Sequence, residues 1–180
     1  MLCDWGFAAA LPRDGSRTYT ILGTPEYLSP ECVLGQGYRF DVDLWALGIL
    51  TYEMLRGRSP FAAPDPDDTM AVFRNVTAAK LRISSRVAPD AGDFVAALLR
   101  RHRADRLGDA AAVKRHAVFA GLDWAALRAK RLPAPYVPSL AGPTDASRFD
   151  VYDEDSAKAP FDGDQAPFAA FSSGFVEDPV

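Results

Sequence analysis

Asp41-Val42-Asp43-Leu44-Trp45-Ala46-Leu47-Gly48-Ile49-Leu50-Thr51-Tyr52-Glu53-Met54-Leu55-Arg56 is the stretch on which the fold turns. Read at 3.6 residues per turn, Leu44, Trp45, Leu47, Gly48, Ile49, Leu50, Met54 and Leu55 make a helix over about 42–56 apolar almost all round. A helix of that kind belongs in the middle of a core and not on its surface. Asp41 or Asp43 is the expected N-cap, and Gly57 stands past the end, where a left-handed residue closes a helix. The apolar run from Leu44 to Leu55 is broken by Glu53 and is too short to span a bilayer.

Working outward, Pro30 to Leu34 reads as a short helix ended by Gly35. Amphipathic helices are predicted near 67–77 (Met70, Val72, Phe73, Val76), 90–101 (Phe94, Val95, Leu98, Leu99), 110–118 and 123–131, the last starting at Asp123. Residues 11–25 carry Pro12, Gly15, Ser16, Gly23 and Pro25 and read as a long loop, a feature usually functional in a compact domain. No stretch alternates like a half-buried strand, so the fold class is mainly α. From Pro133 prolines punctuate the chain and helical periodicity stops, yet aromatic residues persist. Two domains are therefore expected: a helical one over 1–132, and an extended, largely irregular tail over 133–180 anchored by its aromatics.

With 48% hydrophobic and 24% charged residues, the 180-residue chain has the composition of a globular domain with a real core. A net charge of −4 provides no overall attraction for nucleic acid or acidic membrane, so neither partner is expected. Cys3 and Cys32 fit no metal-ligand spacing and read as reduced thiols of an intracellular protein.

Gly23-Thr24-Pro25-Glu26-Tyr27-Leu28-Ser29-Pro30-Glu31 resembles the run that closes the activation segment of AGC serine/threonine protein kinases, departing only at Ser29, where Ala is usual. Asp4-Trp5-Gly6 stands where kinases carry Asp-Phe-Gly: a carboxylate that holds Mg²⁺ against the phosphates of ATP, then a Gly that lets the backbone turn. Asp41 to Gly48 is similar to the start of the central helix of a kinase C-lobe, and Ala104-Asp105-Arg106-Leu107-Gly108 to a later family element. Phe149-Asp150-Val151-Tyr152 followed by Asp153, Glu154 and Asp155 looks like the acidic tail element of AGC kinases, and Phe168-Ala169-Ala170-Phe171-Ser172 like their hydrophobic motif. The pattern as a whole most resembles the cAMP- and cGMP-dependent kinases.

The resemblance implies a set of roles. Asp4 is a metal ligand, and Asp4 and Phe149 face the nucleotide. Thr20 and Ser172 are phosphosites; a phosphate on Thr20 would add about −1.5 to −2 charges and order the loop. Glu26 and Glu53 meet arginines ahead of the phosphoacceptor, because carboxylates accept guanidinium bidentately. Ile21, Pro25 and Leu28 form the apolar pocket for the residue after the phosphoacceptor, and Tyr152 lies near nucleotide and substrate. Glu31 pairs with Arg106, Asp43 accepts hydrogen bonds from catalytic-loop backbone, and Trp45 anchors the central helix. Phe168 and Phe171 dock on an N-lobe. The cofactors implied are ATP and Mg²⁺. The partners are Arg-bearing protein substrates, an upstream activating kinase and a regulatory subunit or domain, in the cytoplasm or nucleus.

The Gly-rich loop, the strand lysine and the catalytic loop with its base all precede Asp-Phe-Gly in this family, and only Met1, Leu2 and Cys3 precede Asp4 here. No catalytic residue is therefore present, and the chain alone is expected to be inactive: a C-lobe portion of a kinase, or alternatively a kinase-derived protein-binding module without catalysis. Two further expectations follow. Asp43 is left as a costly buried carboxylate, and the helical core is marginally stable with a mobile tail.

Overall fold

In the computed structural model, residues 4–11 and 15–151 are described. The chain divides into two units, Met1–Leu132 and Pro133–Val180. Among its described residues the first holds six α-helices: α1 (Pro30–Val33), α2 (Asp41–Arg56), α3 (Thr69–Ala78), α4 (Pro89–Leu98), α5 (Ala110–Arg115) and α6 (Trp124–Arg128). Single 3-10 turns at Pro25–Tyr27, Arg103–Asp105 and Ala117–Phe119 join them. Among the described residues there is no strand, only an isolated antiparallel bridge between Thr18 and Tyr38. In the second unit, residues 133–151 form neither helix nor strand.

α2 packs on α4, and α3 contacts both α1 and the turn at Pro25–Tyr27. Trp45, Ile49, Tyr52, Phe61, Val72, Val76, Val95 and Leu99 form the main core; Phe94, Leu98 and Val113 form a second cluster with Leu44, Leu47 and Phe119 packed against it. The approach of α2 to α4 depends on Gly48. A Cβ built there would lie 2.8 Å from Leu99 Cδ2 and 2.9 Å from Leu98 Cβ, closer than real carbon contacts allow. Gly48→Ala is therefore expected to cost ~1–3 kcal/mol by overpacking, read as a lowered denaturant midpoint with an unchanged slope.

The helix ends show where local signals win and where they are overridden. Gly57 closes α2 in the left-handed conformation (φ 74°), its N–H donating to Glu53 O at 2.7 Å. The N-terminus differs from expectation: neither Asp41 nor Asp43 caps α2, whose N-cap is Phe40. Asp41 instead accepts Arg103 Nε at 2.8 Å and Nη2 at 3.0 Å, an ion pair that takes the carboxylate away from capping. Asp68, Asp109 and Asp123 do cap α3, α5 and α6, accepting backbone N–H groups of the first turn. α4 stops at Leu98, short of the expected 101. The next carbonyls, those of Arg100 and Arg101, turn away and accept the Arg106 guanidinium. α5 breaks at His116, whose Nδ1 accepts the Val118 N–H and starts a 3-10 turn.

A second correction concerns the burial of α2. One face is sealed by Trp45, Gly48, Ile49 and Tyr52, but Leu50, Met54 and Leu55 are exposed, Met54 to 71%. Among the described residues the apolar girdle of α2 is therefore only partly covered.

Candidate functional site

The segment from Thr18 to Glu31 lies over the helical unit and is pinned at three points. At its start Thr18 and Tyr38 exchange backbone hydrogen bonds at 3.1 and 2.9 Å, and the Tyr38 hydroxyl donates to Thr20 O. Thr20 itself is exposed.

In its middle, Gly23 and Pro25–Tyr27 turn the chain so that Leu28 is buried and Pro25 half-buried, while Ile21 stays 52% exposed. Tyr27 then points its hydroxyl at α2 and donates to Glu53 Oε2. That bond, with burial and the negative charges of Glu53 and Glu26, pushes the Tyr27 phenol up to about 12. Tyr27 carries no sequence signal that marks it out within the run, since its partner lies 26 residues away and is chosen only by the fold. The raised value has a pH consequence. Between the unfolded pKa of about 10 and the folded one of about 12 the native state holds a proton that the unfolded chain has released. Stability therefore falls with rising pH across that window. Tyr27→Phe should flatten the decline, measured by chemical denaturation at a series of pH values.

The third pin is an ion pair. Arg106 Nη1 and Nη2 meet Glu31 Oε1 and Oε2 at 2.6 Å each, across 75 residues of chain, with side-chain exposures of 1% and 2%. Nε and Nη2 also donate to Arg100 O and Arg101 O, and the flat face of the guanidinium lies 4.8 Å from the Trp45 ring centre. Trp45 in turn stacks on Phe61 at 5.6 Å with an interplanar angle of 11°. A buried charge pair, a cation–π contact and an aromatic stack thus tie the end of the segment to α2 and to the turn after α4.

The protein kinase domain family model matches residues 1–119. The chain belongs to the protein kinase family. Its relatives are AGC-group serine/threonine kinases. The serine/threonine-protein kinase SCH9 of Candida albicans is 44% identical over 156 residues, covering 83% of this chain and 19% of that protein. The cGMP-dependent protein kinase egl-4 of Caenorhabditis elegans is 36% identical over 179 residues, covering 97% and 22%. The cAMP-dependent protein kinase catalytic subunit of Dictyostelium discoideum is 39% identical over 158 residues, covering 86% and 24%. The chain thus spans between 19% and 24% of the length of these three relatives.

Within this kinase-family chain the remaining residues named from sequence fall in different places. Asp4 is exposed, has φ 60°, and accepts the Gly6 N–H at 3.3 Å in a tight turn. Among the described residues no three metal-ligating side chains gather. Mg²⁺ usually takes one or two carboxylates and completes its shell with water and substrate phosphates, so Asp4 fits as a single ligand and cannot hold the ion alone. Asp43 is a correction: its side chain stands at the surface, although burial of its surroundings, with Asp41 nearby, raises its pKa. It is not the costly buried carboxylate anticipated. Phe149 belongs to the second unit and is exposed. Tyr152, Phe168, Phe171 and Ser172 lie outside the described residues. No helix among the described residues is long and apolar enough to cross a membrane.

Proposed function

We propose that this chain forms part of a serine/threonine protein kinase that transfers the γ-phosphate of ATP to proteins carrying arginine ahead of the phosphoacceptor. The observation that carries the substrate preference is the acidic patch around Tyr27. Glu53 is held in place by the Tyr27 hydroxyl, and Glu26 is near enough to act on the same phenol. Neither carboxylate pairs with a cation among the described residues. Two half-buried, unneutralised carboxylates suit arginines, and exposed Ile21 with half-buried Pro25, over buried Leu28, suits an apolar residue after the phosphoacceptor. In this reading Asp4 contributes a ligand to Mg²⁺, and Phe149 and Tyr152 serve the nucleotide side. Exposed Thr20 is the target of an upstream kinase, Ser172 is a second phosphosite, and a regulatory subunit or domain governs the whole. Transfer needs a Gly-rich loop, a lysine and a catalytic base supplied by other sequence, so the 180 residues alone are inactive.

A chimera tests this. These residues replace the corresponding part of the Dictyostelium cAMP-dependent catalytic subunit, and the product is assayed on a serine peptide with arginines before the acceptor and on its alanine counterpart. The chimera is expected to favour the arginine peptide, Glu26→Gln with Glu53→Gln to lose most of that preference through KM, and the chain alone to transfer nothing. A folded chimera indifferent to arginine would remove the substrate assignment.

A further inference from the structure

A strip of cations in the first unit is drawn from the segment after α2, the segment after α3 and the turn that follows α4. It begins at a depression of about 450 Å³ where Arg58, Lys80 and Arg82 surround Phe61. Lys80 also lines the next depression, of about 630 Å³, together with Arg100 and Arg101, over a floor that includes Leu81 and Leu99. Arg101 passes in turn into a third, of about 270 Å³, with His102 and Arg103. Lys80 lines the first two depressions and Arg101 the last two, so the three adjoin along one grooved surface. No carboxylate lines the first two depressions, and in the third Glu31 is already held by Arg106. Arg58, Lys80, Arg82, Arg100 and Arg101 are exposed, and none of them makes an ion pair among the described residues. In a chain whose net charge is −4, unneutralised cations gathered over an apolar floor depart from the mixed surface that solubility favours.

We propose that this groove docks an acidic segment of a partner protein whose carboxylates alternate with apolar side chains. Carboxylates would meet the rim, and apolar side chains would fill the depressions over Leu81, Leu99 and Phe61. A nucleic acid would use the rim and gain little from the apolar floor. Neither Glu26 nor Glu53 lines the groove, so the inference stands apart from the substrate reading and needs no phosphoryl transfer.

The test is fluorescence anisotropy of a short labelled peptide alternating Glu and Leu, titrated with the full chain at about 50 and about 200 mM salt. Saturable binding that weakens with salt is expected. Lys80→Glu with Arg101→Glu should lower affinity at least about tenfold, whereas Arg128→Glu at the end of α6 with Arg131→Glu just beyond it should change it less than about twofold. Circular dichroism verifies that the helices persist. Lys80→Gln with Arg101→Gln, which removes charge without reversing it, must lower affinity in the same direction. Four results would overturn the proposal: no binding, equal binding by the charge-reversed chain, equal binding of a Glu–Ser peptide, or tighter competition from a single-stranded oligonucleotide.

Discussion

Arg106→Ala is expected to remove ~3–5 kcal/mol of stability, a large share of the ~5–15 kcal/mol that holds a typical domain together. The size comes from what is stranded. Glu31 is 2% exposed and takes both guanidinium nitrogens at 2.6 Å. Without Arg106 that carboxylate keeps its desolvation and loses its counter-charge. The carbonyls of Arg100 and Arg101 lose their donor at the same time. Glu31→Gln should be damaging too, leaving the cation buried against a neutral amide. The joint replacement Glu31→Leu with Arg106→Met should be far milder than the sum of the single changes, because removing both charges removes the desolvation cost. A double-mutant cycle by urea denaturation gives the coupling directly.

Trp45→Ala is the second large effect, at ~3–5 kcal/mol. Trp45 is fully buried in the centre of α2, stacked on Phe61 and covered by Arg106, so its loss opens the point where helix, loop and ion pair meet. Its indole N–H has no partner among the described residues. A buried donor left unpaired costs free energy, and Trp45→Phe discards it together with part of the ring. That change should cost only ~1–2 kcal/mol. Comparing the two substitutions by thermal denaturation separates the value of the stacked ring from the penalty of its nitrogen.

Most of the helical architecture was readable from residue spacing and stop signals, because Gly57 and the aspartates before α3 and α6 act locally. What escaped depends on partners chosen across the fold. Asp41 looks like a cap until Arg103, 62 residues on, competes for its carboxylate. Among the cations of residues 100–106, spacing alone cannot say which one is buried, and only resemblance pointed to Arg106. The exposure of Leu50, Met54 and Leu55 was likewise invisible to a pattern that reports how apolar a helix is and not what stands beside it. At the candidate site, the nine-residue run marked the segment, but the Tyr27–Glu53 bond that organises its acidic patch emerged from geometry alone.

We propose above that these residues serve as the C-lobe portion of an AGC kinase. The most direct test of this proposal is the intact mass and N-terminal peptides of the endogenous protein, captured with an antibody against the 133–180 tail. The expected product is well above 19.5 kDa, with peptides that include a catalytic loop and a strand lysine. A product that begins at Met1 would contradict it.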